Sequence, residues 1–212
     1  MDWEDSFAKP VDTQAMARYF DEALEHGQFL DFDPDEAASA RLLVERIAPR
    51  PGDWIFEPGC GTGRFTRLLA ERAGPHGRVE ACEMAPRMAE RFRQRRFPAN
   101  VVLHETSALQ APAPLGSFHL VACINVWPHL PDAQAHLERF HSLLRPGGQL
   151  AIAHSLSREC VNAIHQFVDS PRIRARDLRP AADLLAWIEA RGWRPGQAID
   201  GDLFLVTAFR AQ

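Results

Sequence analysis

The chain is short of the residues that would staple it, anchor it or charge it. Four cysteines in 212 residues (Cys60, Cys82, Cys123 and Cys160) stand far apart with no C-x-x-C pair. That spacing argues against a disulfide framework and a cysteine zinc site, and points to reduced thiols. No apolar run approaches the roughly 20 residues that span a bilayer. The net charge is only -4, so nothing global points to nucleic acid or to an anionic membrane. The acidic start, Met1-Asp2-Trp3-Glu4-Asp5, lacks a signal-peptide pattern, and a cytoplasmic location is expected. There are no repeats and no low-complexity linker. What remains, 46% hydrophobic and 25% charged residues, suits one soluble α/β domain with a substantial core.

Periodicity predicts two N-terminal helices, Thr13 to His26 and Pro34 to Ile47, the second with Asp33 as N-cap. Strands and helices then alternate. Strands are expected at Asp53–Glu57, Arg78–Glu83, Val101–Glu105, His119–Asn125, Gln149–His154 and Leu203–Phe209. Helices are expected at Arg64–Arg72, Pro86–Arg95, Asp132–Leu144, Arg158–Val168 and Ala181–Ala190. Such alternation implies a mostly parallel sheet with helices on both faces.

The stretch Glu57-Pro58-Gly59-Cys60-Gly61-Thr62-Gly63 joins the first of these strands to its helix. Its glycines permit backbone angles closed to other residues and let a ligand approach the main chain. The spacing is E-x-G-x-G-x-G. A dinucleotide fingerprint would need a last glycine where Arg64 stands, which argues against a nicotinamide oxidoreductase. Acidic Glu83 closes the second strand, 20 residues after Gly63, where a carboxylate can accept from a ribose diol.

These features resemble the class I, Rossmann-like, S-adenosylmethionine (SAM) methyltransferases. The resemblance extends through the fourth-strand tract Phe118 to Leu130, the turn Leu143 to Gly148, and Arg191-Gly192-Trp193 before a late strand. It implies a doubly wound, mostly parallel seven-stranded sheet with a C-terminal antiparallel hairpin, helices on both faces, and an N-terminal helical lid. Residues 1–50 would be the lid of the same domain, and 51–212 the SAM-binding domain. The implied activity is methyl transfer from SAM to a small-molecule acceptor, leaving S-adenosylhomocysteine (SAH). A non-catalytic SAM-binding or regulatory protein of the same fold is the alternative. Nucleic-acid and membrane partners are not expected, nor is a metal.

The resemblance assigns cofactor contacts to Glu57, Gly59, Cys60, Gly61, Gly63, Glu83, Met84, Ser107, Ala108 and Asn125. Glu57 would lie near the cofactor's positive end, and Met84 can pack on adenine. Ser107 stands where the family often has Asp, so backbone groups would share adenine recognition. His119 stands where Asp is common early in the fourth strand and reads as structural. Asn125 would turn its carbonyl or side chain toward the cofactor's amino acid end. His129 and His154 are the candidate bases, and with Asn162 and His165 the candidate substrate contacts. The arginines around Arg87 to Arg96, and Arg172, Arg174, Arg176 and Arg179, read as solvated.

Overall fold

A computed structural model describes residues 12–167 and 177–212. Arg172, Arg174 and Arg176, and the expected end of a helix at Val168, lie outside those residues. Seven strands form one sheet in the order β3-β2-β1-β4-β5-β7-β6. They are β1 (Trp54–Pro58), β2 (Arg78–Cys82), β3 (Val101–His104), β4 (Phe118–Ile124), β5 (Leu144–His154), β6 (Arg194–Asp200) and β7 (Phe204–Phe209). Strands β1 to β5 pair in parallel, whereas β7 runs antiparallel between β5 and β6. The doubly wound sheet with its C-terminal antiparallel pair is the architecture expected from the sequence.

The helices are α1 (Thr13–Glu25), α2 (Pro34–Ile47), α3 (Arg64–Ala73), α4 (Pro86–Gln94), α5 (Ala133–Leu143), α6 (Arg158–Phe167) and α7 (Ala181–Glu189). Two apolar cores follow from covering the sheet twice. Phe56, Phe118, Phe140 and Ile188 fill one face, and Leu43, Ile47, Ile55 and Leu69 the other. Strand β1 is buried on both faces, which is why its tract reads as an apolar run without alternation. Helix α2 starts at a capping box in which Asp33 accepts from the Asp35 and Glu36 N–H groups and Glu36 accepts from the Asp33 N–H.

His119 Nδ1 accepts the Trp54 N–H at 3.0 Å, pinning the start of β1 to β4. That is the structural role read from its position. Strand β5 begins five residues earlier than the sequence predicts, because Leu144 pairs with Phe118 across an irregular step in register. Strand β6 has no apolar alternation. It is an almost wholly exposed edge carrying Pro195 and Gly196.

The chain order reverses between β1 and β4, and the crevice above that point opens at the carboxyl ends of the strands. Helix α1 closes one side of it. Asp21 on α1 accepts from the Arg87 and Met88 N–H groups, capping α4 from outside that helix. Glu25 pairs with Arg87 beside this cap.

Candidate functional site

Strand β1 ends in Glu57, and the chain then turns through three glycines with positive φ, at 63° for Gly59, 56° for Gly61 and 84° for Gly63. They do two different jobs. A Cβ at Gly59 would stand 2.5 Å from Val126 Cγ2, and one at Gly63 would stand 2.7 Å from the Phe92 ring. Those two glycines allow close packing beneath the loop. A Cβ at Gly61 would meet nothing within 4 Å, so Gly61 presents bare backbone to open space.

A side chain and a backbone bond tie the loop to β2. Glu83 follows β2, and one of its oxygens accepts the Gly61 N–H at 2.8 Å. The other accepts the Met84 and Ala85 N–H groups, each at 2.8 Å. Burial raises its pKa, while those three N–H groups pull it back down. A carboxylate has about four acceptor positions, so lone pairs remain for a diol. The Cys60 N–H donates to the Cys82 carbonyl and fixes the same loop to β2. Glu57 is buried, and among the described residues it accepts only the Thr66 hydroxyl, at 2.6 Å. Burial pushes its carboxyl up to about 8.

The crevice encloses a cavity of about 500 Å³, within the range of small-molecule sites. Glu57, Gly59, Cys60, Gly61, Glu83, Met84, Ser107, Ala108, Asn125 and His129 all line it. Gly63 stands behind this wall, against Phe92 and Phe97. Asn125 closes β4 with φ 54°. Its side chain is turned to β5, where it donates to Ser155 Oγ and accepts the Ser155 N–H.

The histidine-bearing elements divide. His129 sits in a short 3-10 turn, Trp127–His129, on the cavity wall. His165 on α6 stands behind it, with ring centroids 5.0 Å apart. His154 ends β5, buried, within electrostatic reach of both. Burial holds His129 and His154 neutral, each pushed down to about 3, and His165 is lowered as well. His154, Asn162 and His165 do not line the cavity. Asn162 also departs from a substrate role, since its amide donates to the Leu178 carbonyl and accepts the Leu178 N–H. Among the described residues, no group of three or more His, Cys, Asp or Glu is arranged to hold a metal.

Several site residues were not legible in the sequence. Arg95 reads there as part of a solvated face. Its side chain is only 12% exposed and clasps the glycine turn to the segment after α1. It donates to the Thr62 carbonyl, the Leu30 carbonyl and Asp31 Oδ1. Thr62 Oγ1 donates to the Phe29 carbonyl at 2.6 Å, a second tie across the same gap. Arg87 and Arg93, by contrast, are half exposed, as a solvated face requires. Nothing in the local pattern separates Arg95 from them.

Comparison with known proteins agrees with this geometry. The family model of the methyltransferase domain matches residues 55–148, from β1 through the turn into β5. The biotin biosynthesis bifunctional protein BioCD of Bordetella avium is 33% identical over 180 residues, covering 82% of this chain and 37% of that protein. Trans-aconitate 2-methyltransferase of Azoarcus sp. is 33% identical over 141 residues, covering 62% of this chain and 54% of that protein. The chain thus spans about a third to two thirds of the length of the curated relatives it matches. A Thermotoga maritima SAM-dependent methyltransferase, described as a possible histamine N-methyltransferase, superposes with a TM-score of 0.70 at 17% identity. That alignment covers 92% of this chain and 99% of the other. Glycine turn, strand order and family model converge, and the chain belongs to the class I SAM-dependent methyltransferases.

Proposed function

We propose that this chain transfers a methyl group from SAM to a small-molecule acceptor. The observation that carries the reading is the bare face of Gly61 on a cavity of about 500 Å³, with Glu83 fixed beside it. When bound there, SAM supplies a methyl group already activated by the sulfonium charge. The protein's part is then to bind, orient and exclude water.

Glu83 would take the ribose hydroxyls on its remaining lone pairs. Glu57, protonated at neutral pH when alone, would ionise beside the cofactor's ammonium and so exchange its proton for a charge pair. Met84, Ser107 and Ala108 line the same cavity and would receive the adenine. The backbone of Asn125 would meet the amino acid end, because its side chain is engaged with Ser155. Met16 and Phe20 on α1 also line the cavity, which supports the first 50 residues acting as a lid. His129, on the cavity wall, would meet the acceptor. Trans-aconitate, in the Azoarcus relative's name, is a small molecule, which supports an acceptor of that size.

Calorimetric titration with SAH tests the donor site. Saturable binding by the wild type, lost in Gly61→Arg, is expected. No binding by a folded wild type would end the reading.

A further inference from the structure

Arg64 carries hydrogen-bond donors that the fold leaves unspent. The cavity wall holds Glu57, Glu83 and Glu105, and among the described residues Arg64 is its one arginine or lysine. Arg64 is also the residue that breaks the dinucleotide spacing, standing where that fingerprint needs its last glycine. Its side chain is only 16% exposed. A guanidinium so far withdrawn from water normally has its N–H groups engaged. Among the described residues Arg64 engages a single nitrogen, Nη1, with Glu36 Oε2 at a long 3.4 Å, and Glu36 is itself half exposed. Arg95 shows the contrast. It turns to the same chain segment and spends its fork on the Thr62 carbonyl, the Leu30 carbonyl and Asp31.

The flat of the Arg64 guanidinium is fixed by aromatic rings. Its central carbon lies 4.5 Å from the Phe32 ring centre and 5.8 Å from that of Phe29. Phe32 is held in turn edge-on against Phe65, at 5.1 Å. Stacking uses the face of the group and leaves its edge, which carries the N–H groups, for hydrogen bonds. None of the Arg64 nitrogens is among the buried atoms that lack a partner, so that edge is open and not sealed.

Resting on the SAM-dependent reading above, we propose that Arg64 anchors the carboxylate of the donor's amino acid end. A carboxylate matches the guanidinium fork, and the pair can share two parallel N–H···O bonds. The charges on the wall agree. The donor brings a sulfonium, an ammonium and a carboxylate to a wall with three acidic side chains. Its cations have those side chains to meet, whereas its carboxylate has Arg64 alone among the charged groups of the wall. Arg64 follows Gly63 directly, as the first residue of α3, so its charge belongs to the glycine-turn side of the cavity. An anionic acceptor offers the same chemistry to the fork, and titration without any acceptor separates the two sources.

Calorimetric titrations of the full chain, with no acceptor present, compare SAH with decarboxylated SAH, which keeps the ammonium, thioether, ribose and adenine. The wild type should bind the decarboxylated form about thirtyfold more weakly. Arg64→Met keeps an apolar stem against Phe32 but has no N–H to offer, and it should bind the two ligands within about twofold of each other. Arg64→Lys restores the charge without the fork and should recover part of the ratio. The comparison is made within each protein. A variant that only loosens the segment around Phe29 and Phe32 weakens both ligands alike and keeps the wild-type ratio. That result would overturn the proposal, as would a wild type that binds both ligands equally. Should Arg64→Met not fold, Arg64→Gln takes its place, and an undiminished ratio there overturns the proposal in the same way. Failure of the wild type to bind SAH at all would instead remove the donor site, and the anchor with it.

Discussion

Glu57→Gln isolates the buried carboxyl at the end of β1. In the unfolded chain Glu57 has the ordinary value of 4.5, and in the folded, ligand-free protein burial raises it to about 8. A raised carboxyl favours the native state below 4.5 and loses that contribution as pH rises toward 8. At the usual cost per pH unit, folding gives up roughly 1 kcal/mol by pH 5.5 and roughly 4 kcal/mol by pH 8. Glutamine keeps the shape and can still accept the Thr66 hydroxyl, but does not titrate. The stability of the variant relative to wild type should therefore rise by about 3 kcal/mol between pH 5.5 and pH 8. Urea unfolding of both proteins at the two pH values reads this, and titrating groups not coupled to Glu57 cancel in the double difference. The same variant should bind SAM about tenfold more weakly, because it cannot ionise beside the ammonium. A stability difference that does not change with pH would refute the account of Glu57.

The remaining predictions concern the loop, its clasp and the histidines. Gly61→Arg should abolish SAH binding by calorimetry while lowering Tm by only about 3 °C, the effect of about 1 kcal/mol of left-handed strain. Gly63→Ala should cost about 2 kcal/mol in urea unfolding, since its Cβ would overpack Phe92 and Phe97. Arg95→Ala should speed deuterium exchange over residues 12–31 and weaken SAH binding; unchanged exchange would show that the clasp does not hold α1. His129 and His154 have depressed values, so their contribution is full above 6.5 and fades as pH falls toward 3. Each should account for a loss of about 2 kcal/mol by pH 5, and His154→Leu should flatten that acid limb.

The donor half of the site was legible because its chemistry is tied to backbone geometry. A bare Gly61 and an acidic residue after β2 must stand at fixed spacing for the loop to turn, and both show in the linear order. Strand order was legible from alternation for the same reason. Strand β6 was not, since an exposed edge with Pro195 and Gly196 has no buried face to impose a period. Gly196 is there because its backbone closes on Thr207, whose hydroxyl accepts the Gln197 N–H. Arg95 was hidden because its partners, Leu30, Asp31 and Thr62, are more than thirty residues away. Asn162 looked like a member of a polar stripe, and only the return of the chain at Leu178 gives its amide both partners.

That division has a physical cause with a consequence for specificity. In the proposed reading the donor would be held by the bare turn at Gly61 and by Glu57 and Glu83 at the β1 and β2 ends, positions at fixed spacing in the sequence. The histidine rings come together from three separate elements: the turn after β4, the end of β5 and α6. None of the three constrains the others in sequence, so each can change without disturbing the glycine turn. Selectivity can therefore drift while the methyl donor stays fixed, in keeping with relatives of about 30% identity that carry different acceptors in their names. The unpaired nitrogens of His129, His154 and His165 are the feature of this chain that its glycine turn does not determine. Of these residues His129 lines the cavity, and it is the position from which a search for the acceptor would start.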